Sequence, residues 1–262
     1  MTALLEHLES RRAEGHKLLV PYLMAGLPDA SSFPGALDAL LAQGDAVEVG
    51  IPYSDPLMDG PVIAAAGERA LRAGVGPLRA VAMGAGPDSD VPRLVMTYYN
   101  PIHHLGEDRF CDLLSRSGYS GLIVPDLPVE ESENLRSCAA DRGLAWVPLV
   151  APTSSARRVE AIVATATGFV YAVSTLGVTG PRDALSERAG RVVAACREAT
   201  DLPVCVGIGV STPEQARAAT AAADGVVIGS AVVQLILERG AEAAGSFLSS
   251  VRSALDGVAS SS

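Results

Sequence analysis

The sequence lacks the residue patterns of a metal or redox site. None of its four cysteines belongs to a CxxC pair or has a histidine nearby at metal-site spacing (Cys111, Cys138, Cys196 and Cys205). His103 and His104 are adjacent, and adjacent residues rarely bind one ion together, so we expect no bound metal. We interpret the cysteines as buried, reduced thiols.

The chain also lacks an excess of positive charge and a membrane-length apolar run. With 20 Lys and Arg against 30 Asp and Glu, its net charge is −10, which repels nucleic acid and anionic lipid. The longest largely apolar run, 225–237, is too short to cross a bilayer, and acidic residues interrupt the N-terminal stretch, unlike a signal peptide. We therefore expect a soluble, cytoplasmic protein. An anionic small molecule remains a candidate ligand, because backbone N–H groups can bind phosphate.

What the sequence does contain is a repeated alternation of apolar runs and helical patterns. Each apolar run is nearly continuous, which is typical of parallel strands buried on both faces. No GxGxxG follows the first run, which disfavours a dinucleotide-binding sheet. The 262 residues, 48% of them hydrophobic, predict an α/β fold with a single (β/α)8 barrel domain over 1–262. The predicted strands are 18–24, 46–50, 94–99, 121–125, 146–150, 169–174, 204–209 and 225–228.

The helical patterns add two helices to the basic barrel. An extra N-terminal helix over 2–12 would plug or cover the bottom, and a short extra helix over 231–238 follows strand eight. The stretch 76–85 is another predicted helix, and 84–90 is a predicted surface loop. The remaining predicted helices are 31–43, 62–73, 107–117, 130–142, 154–166, 186–199, 213–223 and 242–255.

Glu48 is the most informative polar residue at the predicted strand ends, where the chemistry of such a barrel lies. Val47 and Val49 flank it, so its carboxyl must point into the barrel mouth or be paired. Burial raises the pKa of a carboxyl, and Glu48 would then be a proton shuttle near neutral pH. A strand-end glutamate that caps a neighbouring loop is the alternative.

Asp59 lies in the loop after strand two, among prolines and turn-forming residues. It precedes Gly60 and Pro61 at a predicted helix start. The sequence therefore supports a helix N-cap and a catalytic carboxylate equally well at this position.

Two glycine segments close strands seven and eight and predict a phosphate site. Gly207-Ile208-Gly209 and Gly229-Ser230 let backbone N–H groups approach an oxyanion, and helix 231–238 would point its positive end there. Simple tight turns are the alternative. After strand six, 176–182 has two glycines around Thr179, which predicts a loop that closes over ligand or an ordinary connection.

Five segments resemble the tryptophan synthase alpha subunit family, in order and over nearly the whole chain. The resemblance implies cleavage of indole-3-glycerol phosphate to indole and D-glyceraldehyde 3-phosphate, in tryptophan biosynthesis. It implies no cofactor in this chain, and a partner beta subunit with pyridoxal phosphate in an alpha2beta2 heterotetramer. The segments are 47–61, 124–131, 177–180, 206–215 and 227–231.

The resemblance also implies roles for single residues. Glu48 would move both protons of the reaction, and Asp59 would stabilise positive charge at the indole N–H. Tyr171 would contact Glu48 or the substrate, and Thr179 would help loop six to close near Asp59. The implied phosphate ligands are Gly180, Gly209, Gly229 and Ser230, and the implied indole pocket contains Tyr22, Pro101 and Ile208.

The chain departs from the family pattern around the indole pocket. The family often has Phe where this chain has Tyr22 and Ile208, and Leu where it has Pro101. The first βα loop, 24–28, lacks the Thr and Asp that are common there, and the helical stretch before strand three is shortened.

Three other interpretations stay open. A stand-alone lyase of the same chemistry would release indole. Another phosphate-binding barrel, such as a sugar-phosphate isomerase or epimerase, predicts metal ligands or a base at other strand ends, which we do not find. A non-catalytic barrel that activates a partner predicts the loss of Glu48 or Asp59, and both are present.

Overall fold

The strands of this protein belong to one parallel sheet. The computed structural model describes residues 1–86, 90–173 and 182–257, and the strands found there all pair in parallel. Their bounds are β1 Leu18–Met24, β2 Val47–Gly50, β3 Arg93–Met96, β4 Gly121–Ile123, β5 Ala145–Trp146, β6 Leu149–Val150, β7 Val170–Val173, β8 Val204–Gly207 and β9 Gly225–Ile228.

The sheet closes on itself at β5 and β6. These two strands lie at opposite ends of the sheet order, yet only Val147 and Pro148 separate them in the chain. The Val147 N–H donates to the Leu122 carbonyl at 3.2 Å, and the Tyr171 N–H donates to the Pro148 carbonyl at 3.0 Å. This segment therefore joins its neighbours on both sides, which confirms the predicted barrel. The fifth predicted strand is in two pieces because Pro148 has no N–H for the ladder.

Helices surround the barrel, and the two predicted extra helices are confirmed. One precedes β1 and one follows β9. The helices in the described part of the chain are α1 Ala3–Ala13, α2 Phe33–Leu41, α3 Pro61–Arg72, α4 Pro77–Gly84, α5 Tyr99–Leu105, α6 Glu107–Arg116, α7 Glu133–Ala140, α8 Ala156–Val163, α9 Arg182–Ala199, α10 Pro213–Ala219, α11 Ser230–Arg239 and α12 Ala241–Leu255, with a 3-10 turn at Val129–Glu131.

The prediction was wrong at the end of strand three. We expected a strand to Tyr99, but β3 ends at Met96 and α5 begins at Tyr99. The Tyr99 N–H donates to the Asp126 carboxylate at 2.9 Å instead of to a strand neighbour. Pro101 then falls in the first turn of α5, where no backbone N–H is needed.

Two predicted loops fall on parts of the chain that are not described. The surface loop 84–90 includes 87–89, and the ligand-closing loop 176–182 lies almost wholly within 174–181. Both stay predictions, as does a single domain over 1–262.

The side chains that point into the barrel change from apolar at its bottom to polar at its mouth. Leu4 and Leu8 of α1 are fully buried and pack with Leu18 and other inward-facing strand residues, so α1 plugs the bottom as predicted. Strand side chains alternate between faces, so Tyr22 shares the inward face of β1 with Leu18. Glu48 lies beside Tyr22 in the strand register.

The cysteines are all free thiols. Cys111, Cys196 and Cys205 are buried as predicted, whereas Cys138 is partly exposed.

Two buried carboxylates tie α1 and later helices to the barrel bottom. Asp45 accepts hydrogen bonds from Arg11 of α1, from Arg252 of α12 and from the Leu19 N–H of β1, all at 2.8 Å. Asp224 similarly pairs with Arg12 of α1 and Arg197 of α9, and it accepts the Val204 N–H of β8. The arginines neutralise both carboxylates and so stabilise the closed bottom of the barrel.

We predict that Asp45→Ala lowers the free energy of unfolding by about 3 kcal/mol, because two guanidinium groups lose their buried partner. Urea denaturation of the purified variant measures this. The matched control is Glu68→Ala, which removes an exposed ion pair with Arg72 and should cost less than about 1 kcal/mol. Equal losses in the two variants would contradict the interpretation.

Candidate active site

A cavity of about 240 Å³ lies at the carboxyl ends of the strands. It brings together residues from opposite sides of the barrel and from the loops above β2, β8 and β9. Seven predicted site residues line it: Tyr22, Glu48, Asp59, Tyr171, Gly209, Gly229 and Ser230.

Glu48 is buried in this cavity, and it has no partner in the described part of the chain. Its side chain is 1% exposed, and no described group forms a hydrogen bond with its Oε1 atom. Burial raises the pKa of Glu48 from its ordinary value of 4.5 to about 8. The loop-capping alternative requires a backbone N–H donor, and the described residues provide none. Glu48 is therefore a neutral acid at pH 7 that can donate a proton.

Asp59 is half-buried at the wall of the same cavity, in the loop between β2 and α3. Burial raises its pKa to about 6, and the nearby Tyr98 hydroxyl acts in the other direction. The N-cap of α3 is Gly60, with no side-chain capping bond, so the capping interpretation of Asp59 is wrong. At pH 7 its carboxylate is mainly ionised, in contrast to the carboxyl of Glu48.

Two buried phenols complete the polar wall. The ring of Tyr22 passes over Gly50, where an added Cβ would lie 1.9 Å from the phenol oxygen. The ring of Tyr171 packs in the same way on Gly207, where an added Cβ would lie 2.7 Å from a ring carbon. Burial and the nearby carboxylates, Asp59 foremost for Tyr22 and Glu48 for Tyr171, raise the pKa of both phenols well above 10.0. Both therefore stay neutral hydrogen-bonding groups.

The far end of the cavity has the geometry of an anion site. Gly229 is the N-cap of α11 and Ser230 is its first residue, so the positive end of this ten-residue helix faces the cavity. Gly209 has a φ of +70°, a left-handed conformation that favours glycine and re-aims the backbone after β8. No Lys or Arg is among the described lining residues, so backbone N–H groups and the Ser230 hydroxyl are the available donors.

Two predicted pocket residues do not reach this cavity. Pro101 lies on α5, and it lines a separate groove of about 700 Å³ with Tyr53, Leu78 and others. Ile208 is partly buried and packs between two clusters of the hydrophobic core. Thr179 and Gly180 lie outside the described residues.

The sequence reasoning missed the apolar lining and Tyr98. Met58, Ile63 and Leu149 are among the lining residues. Tyr98 comes two residues after β3, and its buried position beside Asp59 was hidden because we predicted a strand through this point. An aromatic residue just beyond a strand end was the available signal.

The described residues contain no group of three or more His, Cys, Asp or Glu side chains that could hold a metal ion. No helix in the same part of the chain is long and apolar enough to cross a membrane.

The unpartnered Glu48 carboxyl predicts a pH-dependent stability difference. Because its pKa is raised on folding, the folded state binds more protons between pH 4.5 and about 8, and Glu48 stabilises the fold less as pH rises through this window. Glu48→Gln removes this dependence. Relative to the parent, the free energy of unfolding of the variant should increase by roughly 3 kcal/mol between pH 5 and pH 8. Urea titrations at each pH measure this difference. A constant difference would show that Glu48 is hydrated in solution.

Known proteins resemble this chain over nearly its full length. The family model for the tryptophan synthase alpha chain matches residues 8–254. The tryptophan synthase alpha chain of Carboxydothermus hydrogenoformans is 45% identical over 229 residues, or 86% of each chain. That of Synechococcus elongatus is 43% identical over 98% of each chain.

Solved structures agree with these sequence matches. The structure of Mycobacterium tuberculosis tryptophan synthase has a TM-score of 0.87 and 38% identity to this chain, with 97% of this chain and 98% of that chain covered. By sequence over residues 8–254 and by fold, the chain belongs to the tryptophan synthase alpha chain family.

Proposed function

We propose that this chain is a carbon–carbon lyase that cleaves indole-3-glycerol phosphate to indole and D-glyceraldehyde 3-phosphate in tryptophan biosynthesis. One observation carries the proposal. A buried, unpartnered Glu48 carboxyl and an ionised Asp59 line one cavity, whose other end is the N-terminus of α11.

The cavity has suitable groups for each part of this substrate. The phosphate would bind the backbone at Gly209 and Gly229 and the Ser230 hydroxyl, with Gly180 added from loop six. The indole ring would lie against Tyr22, Tyr171 and the apolar lining, with its N–H toward Asp59. Thr179 would help loop six to close over the bound substrate. Pro101 and Ile208, expected in the indole pocket, are not among the lining residues of this cavity, so we assign them no contact with the indole.

Glu48 would start the reaction as an acid. With a pKa of about 8 it holds a proton at pH 7 and can deliver it to indole C3. Protonation of C3 leaves positive charge at the indole N–H. The Asp59 carboxylate would accept that N–H and stabilise the charge through a hydrogen bond to an ionised group.

The same residue would finish the reaction as a base. Once Glu48 has lost its proton, its carboxylate can accept the proton of the glycerol hydroxyl next to the breaking bond. The hydroxyl oxygen then forms the aldehyde carbonyl, and the electron pair of the carbon–carbon bond returns to the indole ring. Glu48 ends protonated, as it began, so no metal or cofactor in this chain is needed to balance the reaction.

A beta subunit would receive the indole. We propose that the chain works as the alpha subunit of an alpha2beta2 tryptophan synthase, with pyridoxal phosphate bound only by the beta chain. Membership of the tryptophan synthase alpha chain family supports this partner. A cytoplasmic location stays a prediction.

The proposal is tested by an indole-release assay from indole-3-glycerol phosphate, with and without a candidate beta subunit. We expect kcat/KM to be highest between pH values of about 6 and about 8, where Asp59 is ionised and Glu48 is protonated. Glu48→Gln should lower turnover at least about 100-fold while the fold is kept. If a beta subunit leaves the rate of indole release unchanged, the stand-alone lyase is favoured. If Glu48→Gln keeps near-parental turnover, the assignment of Glu48 is wrong.

The phosphate end of the site predicts an effect on substrate affinity. Ser230→Ala removes the hydroxyl donor at the start of α11, so KM should rise about tenfold with kcat little changed. Steady-state kinetics measures both constants. The matched control is Ser250→Ala, on α12 and away from the cavity, whose hydroxyl bonds only to the Ser246 carbonyl. A fall in kcat at constant KM would place Ser230 at the reacting atoms instead.

A further inference from the structure

We propose that the Tyr22 hydroxyl determines the specificity of the site. It fills the β2 side of the cavity, so that a bare indole ring binds and a ring with a substituent at that point is rejected. The proposal deepens the proposed function and rests on it, because it takes the indole ring to lie against Tyr22. The observations that carry it are the direction of the phenol ring, the space over Gly50 and the hydrogen bond of the hydroxyl.

The Tyr22 phenol extends away from the phosphate end of the cavity. In the sheet, β1 lies between β9 and β2. The inner end of the side chain lies beside β9, since a Cβ added at Gly229 would lie 3.7 Å from the Tyr22 Cβ and 3.8 Å from its Cδ1. The outer end lies over β2, where a Cβ added at Gly50 would lie 1.9 Å from the phenol oxygen. The hydroxyl therefore lies on the opposite side of β1 from Gly229.

The hydroxyl and Gly50 fill one space together. An added Cβ at Gly50 would also lie 2.5 Å from the ring carbon that bears the oxygen, so a larger residue there would displace the phenol. A phenylalanine ring in the same place would leave the volume of the oxygen empty. Gly50 pairs in register with Met24 on β1 and Met96 on β3, and Met96 lines the cavity. The empty volume would therefore lie beside the cavity wall.

The Tyr22 hydroxyl is held in this place by its own hydrogen bond. It donates to the Met24 sulfur at 3.7 Å, and the Tyr22 side chain is only 5% exposed. A phenol has one proton to donate, and this bond uses it. We therefore assign the hydroxyl a steric effect on the bound ring rather than a hydrogen bond to it.

The cavity leaves little spare room for a larger ring. Its volume is about 240 Å³, and in the proposed reaction it holds an indole ring and a glycerol phosphate together. A closely packed wall accepts extra atoms only when its side chains shift. One additional methyl group in an apolar pocket changes kcat/KM by about tenfold or more. A methyl group directed at the Tyr22 hydroxyl should therefore be rejected by this margin.

The test is Tyr22→Phe, assayed with indole-3-glycerol phosphate and with the four analogues that carry one methyl group on the six-membered ring. The measured quantity is the kcat/KM of each analogue divided by that of the unsubstituted compound. In the parent, at least one analogue should have a ratio about tenfold below unity. Tyr22→Phe should raise the ratio for that analogue about tenfold, because the vacated space admits the methyl group.

Tyr119→Phe is the matched control. Tyr119 is also a phenol with a 5% exposed side chain, but its hydroxyl donates to the Val81 carbonyl at 3.1 Å, and Tyr119 is not among the described lining residues of the cavity. This variant should keep the parental ratios. If Tyr22→Phe also keeps them for all four analogues, or if it lowers kcat/KM equally for every compound, the steric role is wrong. A parent that cleaves all four analogues as well as the unsubstituted compound overturns it too.

Binding measurements separate this role from the proposed reaction. NMR titrations with indole and the four corresponding methylindoles report the fit of the ring without turnover. Tyr22→Phe should tighten the binding of the rejected methylindole about tenfold relative to indole. If the parent cleaves no phosphate compound while this preference shifts, the steric role stands and the proposed reaction fails. If the parent cleaves indole-3-glycerol phosphate while the binding preference is the same in both proteins, the reaction stands and the steric role is wrong.

Discussion

The burial of the Glu48 carboxyl, away from water and from any hydrogen-bonding partner among the described residues, is the constraint on which the rest of the site depends. Burial keeps a carboxyl neutral at pH 7 where no cation or N–H donor reaches it and no solvent surrounds it. The barrel meets the first condition by placing Glu48 in a short apolar strand between two others. It meets the second by packing the phenols of Tyr22 and Tyr171 beside it. Those phenols fit because Gly50 and Gly207 leave room for them.

Carboxyl groups have opposite surroundings at the two ends of the barrel. At the bottom, each buried carboxylate has two arginine partners and a strand N–H, as Asp45 shows with Arg11 and Arg252. Those ion pairs hold helices to the barrel. At the mouth, the described residues place no Lys or Arg in the lining beside Glu48 and Asp59, and the Tyr98 phenol lies near Asp59. The carboxyls at the mouth are therefore free to change protonation during a reaction, whereas the carboxylates at the bottom serve to hold the helices in place.

Most of the fold could be predicted from the sequence, because eight continuous apolar runs allow few arrangements other than a closed parallel barrel. Glu48 could also be predicted, because an ionisable side chain is out of place in a continuous apolar strand unless it has a function there. Asp59 could not, because a turn-rich loop before a proline has the same composition whether its carboxylate caps a helix or faces a cavity. The helix at Tyr99 depends on the distant Asp126 carboxylate, a contact that no local pattern contains.

The absence of cations among the described lining residues also bears on the acid itself. A Lys or Arg placed to bind phosphate in a cavity of this size would lie near Glu48 and would lower its pKa, since opposite charges favour the ionised form. A helix N-terminus and glycine N–H groups can hold an anion with partial charges that fall off within one turn. Bound phosphate would add negative charge near Glu48 and so favour its protonated form. A phosphate site built from backbone would therefore keep Glu48 an acid at the moment when the proposed substrate is bound.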